Sequence, residues 1–233
     1  MISTEDYEKF KQIIGNTEQP KTFISIDGVI GAGKTTLINL LISKYAEHNI
    51  QAHAILEPVD KWMETGVLDY FYSDVKKNAY EFQTYTFITR IQRVIEEVIA
   101  NPEAQVYLLE RTIHTDKNIF VEMLKEDMGE LKYNMYNDWW HLHQHLLPIK
   151  MNKWIILDTS LDTSLQRICI RNRTEESGIS ADYQSSLQAK HHEFVNTLRN
   201  NGENAIVINS DLMDDNFIEN VNVLNNIYNL IQE

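Results

Sequence analysis

The 233-residue chain carries 34 acidic residues against 21 Lys and Arg, a formal net charge of −13. That balance excludes a nucleic-acid backbone as the main ligand, which needs a broad basic surface, but not a mononucleotide, which a few local cations can hold. One cysteine, Cys169, excludes an internal disulfide and fits a reducing compartment.

At 43% hydrophobic residues the chain is long enough for one α/β domain with a full core. No apolar run is long enough to cross a bilayer. The opening MISTEDYEKFKQ has neither signal nor transit character, so a cytoplasmic, membrane-free location is expected. Residues 1–20 read as an arm or a loosely attached helix, and residues 21–233 as a single domain with no internal repeat.

The first predicted strand, Thr22–Ile26, runs into Gly28-Val-Ile-Gly-Ala-Gly33-Lys34-Thr35, a G-x-x-x-x-G-K-[ST] phosphate loop with an extra glycine at Gly31. A helix is predicted over Thr35–Tyr45, with Leu37, Leu40, Leu41 and Tyr45 on one face. The strand, loop and helix are in the order that the motif requires. Glycines turn backbone N–H groups onto an oxyanion, and the helix start adds partial positive charge. Gly28, Gly31, Ala32, Gly33, Lys34, Thr35 and Thr36 are therefore expected to bind the phosphates of a nucleoside triphosphate. Lys34 would reach the outer phosphates, and the Thr35 hydroxyl would serve Mg²⁺.

A second strand, Ala52–Leu56, ends at Glu57-Pro58, which places a carboxylate at a strand tip, where it can accept a proton from an attacking hydroxyl. The longest helical pattern, Tyr80–Ala100, has Phe82, Tyr85, Ile88, Ile91, Ile95 and Val98 as its expected core face and stops at Asn101-Pro102. The third strand, Val106–Leu109, is followed by Glu110, a candidate Mg²⁺ ligand, and Arg111, a candidate phosphate or substrate cation. The histidines of HLHQHL, His141, His143 and His145, splay around a helix and read as surface. The adjacent DWW reads as core or subunit interface.

A fourth strand, Trp154–Leu157, ends at Asp158, which on pattern alone is either a turn residue or the magnesium acid. Arg167, Arg171 and Arg173 follow at near-helical spacing, an arrangement expected of a lid that closes over a transferring phosphoryl group. The fifth strand, Ala205–Ile208, precedes a closing amphipathic helix. Five strands alternating with helices predict an α/β fold: a five-stranded parallel sheet wrapped by helices, a P-loop NTPase with an arginine-bearing lid. A switch GTPase would need D-x-x-G and an N-K-x-D guanine motif. The chain has no D-x-x-G, and NKWI at Asn152 lacks the aspartate.

IDGVIGAGKTT, EPVDKW, YEFQTYTFITRIQR, ERTIHTDKNIF and RICIRNRTEESGI occur in that order over about residues 22–195. Together they resemble the deoxyribonucleoside kinases, the family of deoxycytidine, deoxyguanosine and insect multisubstrate enzymes. The phosphate loop is shared by many families; the set EPV…W, FQTY, ER[ST]…D and R-x-R-x-E-E-x-G-I is specific to this one. The resemblance implies transfer of the γ-phosphate of ATP or another triphosphate to a deoxynucleoside 5′-hydroxyl in nucleotide salvage, with Mg²⁺, by a homodimer.

By the same resemblance, Glu57 is the base and Arg111 its partner, Thr35 and Glu110 hold the metal, and Arg167, Arg171 and Arg173 are lid arginines. Tyr72 and Glu176 would hold the sugar 3′-hydroxyl. Gln83 would pair with the base edge, Phe82 and Phe120 would sandwich the base, and Trp62 would wall the pocket. The resemblance decides against Asp158 as the magnesium acid. Arg90 and Asp116 stand at specificity positions, and together they imply deoxycytidine or a purine deoxynucleoside over thymidine. Thr86 stands where alanine is expected and tightens the same pocket; Asp27 replaces the usual glutamate. A nucleoside monophosphate kinase is the nearest alternative, but it needs cations for an acceptor phosphate and usually lacks EPV…W.

Overall fold

A computed structural model describes residues 2–147, 149–172, 179–212 and 221–232. Arg173 and Glu176 lie outside the described residues. Five strands form one parallel sheet in the order β2-β3-β1-β4-β5: β1 Thr22–Gly28, β2 Ala52–Ile55, β3 Val106–Glu110, β4 Lys153–Asp158 and β5 Ala205–Asn209. Every strand falls where the apolar runs place it, within two residues at either end. The central strand β1 pairs with β3 on one side and β4 on the other, and all but its first residue are buried. An all-parallel sheet has to be covered on both faces, which is why these strands are continuous apolar runs and do not alternate.

The helices are α1 Thr4–Ile14, α2 Lys34–Glu47, α3 Val59–Glu64, α4 Val67–Ser73, α5 Val75–Ala100, α6 Ile113–Thr115, α7 Lys125–Leu146, α8 Leu161–Arg171, α9 Ala181–Asn200 and α10 Val221–Gln232. A π-helical turn over Asp116–Val121 continues α6. The main core joins the sheet to α1, α2, α5, α9 and α10. A second apolar cluster around Trp62, Phe71, Phe82, Phe87 and Tyr136 lies under α3, α4 and α7.

Two sequence expectations change. Helix α5 begins at Val75, earlier than Tyr80, because the Asp74 side chain accepts a hydrogen bond from the Lys77 amide and caps the helix. Ile88, expected in the core, is 43% exposed, whereas Gln83, Thr86, Thr89 and Arg90 are buried. The inward face of α5 turns polar at Gln83, Thr86 and Arg90 because it lines a cavity there; Phe82, Ile95 and Val98 are buried as the apolar spacing expects, and Ile88 alone of that set is exposed.

Residues 4–14 are more firmly held than a loose arm. Ser3 and Asp6 form a reciprocal capping box at the start of α1, and Phe10 is fully buried against the main core. Phe10→Ala should lower the unfolding free energy by about 3–5 kcal/mol, the usual cost of emptying a buried phenylalanine site. Urea denaturation checks this; a loss under about 1 kcal/mol would mean that α1 is only loosely attached.

Candidate active site

The phosphate loop sits at the carboxyl end of β1, where open parallel sheets bind ligands. Gly33, in the left-handed region at φ 91°, precedes α2, and no side chain caps the helix. The first amides of α2 are therefore turned into the loop. Gly31 (φ 80°) approaches α8 so closely that an added Cβ would lie 2.7 Å from the Ser164 carbonyl oxygen. The loop is also held from behind: the buried Gln184 of α9 donates to the Ile30 carbonyl at 2.8 Å and to Ser164 Oγ at 3.3 Å. Lys34 Nζ donates to the carbonyls of Val29 (3.0 Å) and Gly28 (3.3 Å). Burial, reinforced by Arg111, brings the Lys34 pKa down to about 8, so the ammonium persists at neutral pH.

Thr35 and Glu110 meet. The Thr35 hydroxyl lies 3.0 and 3.2 Å from the two Glu110 carboxylate oxygens. Asp158 is elsewhere, bonded to His192 Nε2 at 3.1 Å and outside the cavity that Thr35 and Glu110 line. Asp27 is fully buried and accepts hydrogen bonds from Ser25 (2.7 Å) and Thr115 (2.9 Å). Its carboxylate thus ties β1 to the end of α6.

Beside the loop opens a cavity of about 430 Å³. Glu57, Trp62, Tyr72, Phe82, Gln83, Thr86, Arg90, Arg111, Asp116 and Phe120 all line it, joined by Gly31, Lys34, Thr35, Glu110 and Arg171. These residues come from five separate stretches of the chain. Gly28, Ala32, Gly33 and Thr36 belong to the loop but do not line this cavity. Arg167 is on α8 one turn before Arg171 and donates to the Ser210 carbonyl at 2.9 Å.

The aromatic geometry is more crowded than sequence suggests. Phe71 stacks on Phe82 with centroids 4.1 Å apart, and Trp62 meets Phe82 edge-on at 6.1 Å. Phe82 therefore has one face left for a ring in the cavity. Phe120 carries the Arg111 guanidinium over its ring at 4.8 Å. Phe71, Leu68, Met63 and Tyr183 also line the cavity and were not singled out from sequence. Phe71 reads there as ordinary helix core. Tyr183 comes from α9, far along the chain, and burial raises its hydroxyl pKa.

At the cavity floor Arg90 grips Asp116 with two bonds, Nε to Oδ2 at 2.9 Å and Nη2 to Oδ1 at 3.1 Å. Burial pushes the Asp116 carboxyl up and Arg90 opposes it. The same Nη2 donates to Glu57 Oε1 at 2.9 Å, and Nη1 to the Glu110 carbonyl at 3.2 Å. Arg111 Nη1 lies 3.7 Å from Glu57 Oε1. Burial raises the Glu57 pKa, but Arg111, Arg90 and Lys34 outweigh it and hold the value at about 2.

Arg111 has a left-handed backbone (φ 62°), rare for a residue with a side chain and worth about 1–3 kcal/mol of strain. Its amide donates to Ile26 and its Nη2 to Gly28, so bonds to the central strand fix the strained turn and aim the guanidinium between Glu57 and the phosphate loop.

Three cations and an uncapped helix start facing an aromatic pocket with a carboxylate at the junction suit phosphoryl transfer to a hydroxyl. Gly31→Ala should force the loop off Ser164 and raise the KM for the nucleotide donor by at least ~10-fold. Steady-state kinetics alongside an unchanged far-UV spectrum checks this.

Comparison with known proteins agrees with the geometry. The family model for deoxynucleoside kinase matches residues 24–233. A protein named "Probable deoxycytidine kinase" from fowlpox virus is 33% identical, over 90% of this chain and 88% of its own length. Human deoxycytidine kinase is 29% identical over 76% of this chain and 77% of its own, and human mitochondrial thymidine kinase 2 is 27% identical over 76% and 66%. A match over nearly the whole chain, on a parallel sheet with a phosphate loop beside an aromatic pocket, places the chain in the deoxynucleoside kinase family.

Proposed function

We propose that this ATP-dependent kinase phosphorylates deoxycytidine or a purine deoxynucleoside at the 5′-hydroxyl in preference to thymidine. The observation that carries the base preference is the two-bond Arg90–Asp116 pair at the floor of the aromatic cavity. A buried charged pair offers donors and acceptors to amino and carbonyl edges and takes the space that a thymine methyl needs. Relatives named as deoxycytidine kinases point the same way.

In this reading the base lies between the free face of Phe82 and Phe120, with Gln83 on its edge and Trp62 and Thr86 as walls. Tyr72 meets the sugar 3′-hydroxyl, and Glu176 joins it from the lid. Lys34 and the loop amides hold the donor phosphates. The Thr35 hydroxyl and Glu110 carboxylate are adjacent oxygen donors and fit Mg²⁺, which keeps most of its shell as water and phosphate. When bound, that ion offsets charge on the β- and γ-phosphates.

Glu57 takes the proton of the 5′-hydroxyl as its oxygen bonds to the γ-phosphorus. The bond from that phosphorus to the bridging oxygen breaks, and its electron pair leaves with ADP. Arg111 sits beside the reacting atoms and offsets charge on the phosphoryl oxygens. Arg171, Arg173 and Arg167 approach as the lid closes.

The catalytic unit spans residues 21–233, with residues 1–20 as an accessory segment, and works in the cytoplasm. Among the described residues no helix is long and apolar enough to cross a membrane. Leu131, Met135, Trp139 and Leu142 make an exposed apolar stripe along α7, with exposed Ile88 on the neighbouring α5. Such a stripe supports a symmetric homodimer through α5 and α7. Light scattering at micromolar concentration should give twice the chain mass, and a monomer would refute that assembly.

The reaction is tested by offering the four deoxynucleosides and their monophosphates as acceptors. Nucleosides should be phosphorylated and thymidine should be the poorest; a thymidine preference overturns the base assignment alone. Glu57→Gln should lower kcat by ~10²–10⁴ while donor binding survives. Near-normal turnover in that variant would remove Glu57 as the base.

A further inference from the structure

A guanidinium has five N–H donors. Arg90 commits four of them: two to Asp116, one to Glu57 Oε1 and one to the Glu110 carbonyl. The Arg90 side chain is 5% exposed, and its guanidinium lies over the Trp62 ring at 5.6 Å, so it has little room to turn. A nucleobase acceptor arriving at the cavity floor finds one uncommitted N–H among the described contacts. A base edge that takes two bonds from Arg90 fills that one and must displace an existing bond for the second.

The Asp116 bonds form a fork that is hard to open one arm at a time. The Glu110 carbonyl belongs to the end of β3 and cannot move away without disturbing the sheet. Glu57 is the exchangeable partner: it lies beyond the end of β2, joined to Arg90 by one bond. The other charged groups facing Glu57 are Arg111, 3.7 Å away, and Lys34 of the phosphate loop.

We infer, on the deoxynucleoside kinase reading above, that Arg90 is a positioning residue for the catalytic base: a matching nucleobase engages Arg90 and releases Glu57 to accept the 5′-hydroxyl proton. Base recognition is then expressed in the chemical step. A carboxylate held in an arginine's hydrogen bond is a weak proton acceptor; released from it, the same group is a stronger one. A poorly matching base leaves the Arg90–Glu57 bond intact and the hydroxyl proton without a taker. Proton and phosphoryl balance are those of the reaction already given; only the availability of the acceptor oxygen changes.

The test separates kcat from KM for all four deoxynucleosides. In the wild type, kcat should spread by at least ~10-fold between best and worst base, with KM spreading less. Arg90→Met removes the tether, so the poorest nucleosides should gain kcat and the spread should close to within ~3-fold. A merely structural role would lower kcat for every base. Asp116→Asn is the second variant. It leaves Glu57 as the one carboxylate on Arg90, so kcat should fall for all four bases and stay low at saturating nucleoside. Wild-type discrimination confined to KM overturns the inference, as does Asp116→Asn with undiminished kcat or a folded Arg90→Met with lower kcat throughout. None of these outcomes touches the kinase assignment, which fails only if no nucleoside is phosphorylated.

Discussion

Everything at the active end of this molecule answers to one constraint: several full charges have to be held away from water in the same small volume. Lys34, Arg90 and Arg111 are buried there, along with Asp27 and Asp116, and Glu57 is nearly so. An unpaired ion in that setting costs several kcal/mol even after relaxation. The structure meets the cost by giving each group more than one polar contact. Arg90 spans Asp116 and Glu57, Arg111 spans Gly28 and Glu57, and Lys34 takes two carbonyls of its own loop. The parallel sheet is what makes this possible. Strand tips deliver Gly28, Glu57 and Arg111 to one rim, and a continuous apolar core behind them fixes their backbones.

Much of this is legible in the sequence because the rim is built by strand ends. A buried parallel strand announces itself as an apolar run, and the polar residue that follows is at the sheet's carboxyl edge. Gly28 to Thr36, Glu57, Glu110 and Arg111 are all found that way. Arg167 and Arg171 on α8 follow from spacing, and the resemblance to deoxyribonucleoside kinases adds Tyr72, Gln83 and Arg90. The elements themselves follow the apolar patterns closely, apart from the early start of α5.

What sequence conceals is the inward face of α5 and the side-chain traffic across it. Apolar periodicity assumes that buried means hydrophobic, so it puts Ile88 inside and gives no weight to Thr89, whose hydroxyl accepts the Trp62 indole N–H at 2.8 Å. The stacking of Phe71 on Phe82 joins two helices and has no local signature. The Arg90–Glu57 bond joins residues 33 positions apart, and either residue has a complete account without the other. Tyr183 reaches the cavity only because α9 passes behind the phosphate loop.

That passage of α9 gives the two halves of the site different mechanical characters. Gln184 fastens the Ile30 carbonyl to α9, and Gly31 is wedged against Ser164 of α8. The donor side is therefore ordered during folding, and nucleotide capture needs little further loss of chain entropy. The acceptor side is walled by short helices, α3 and α4, with Met63 and Tyr70 exposed beside it. The phosphate loop is thus braced from behind by two long elements, while the far end of the cavity rests on short helices whose buried Trp62, Leu68 and Phe71 form a separate small core.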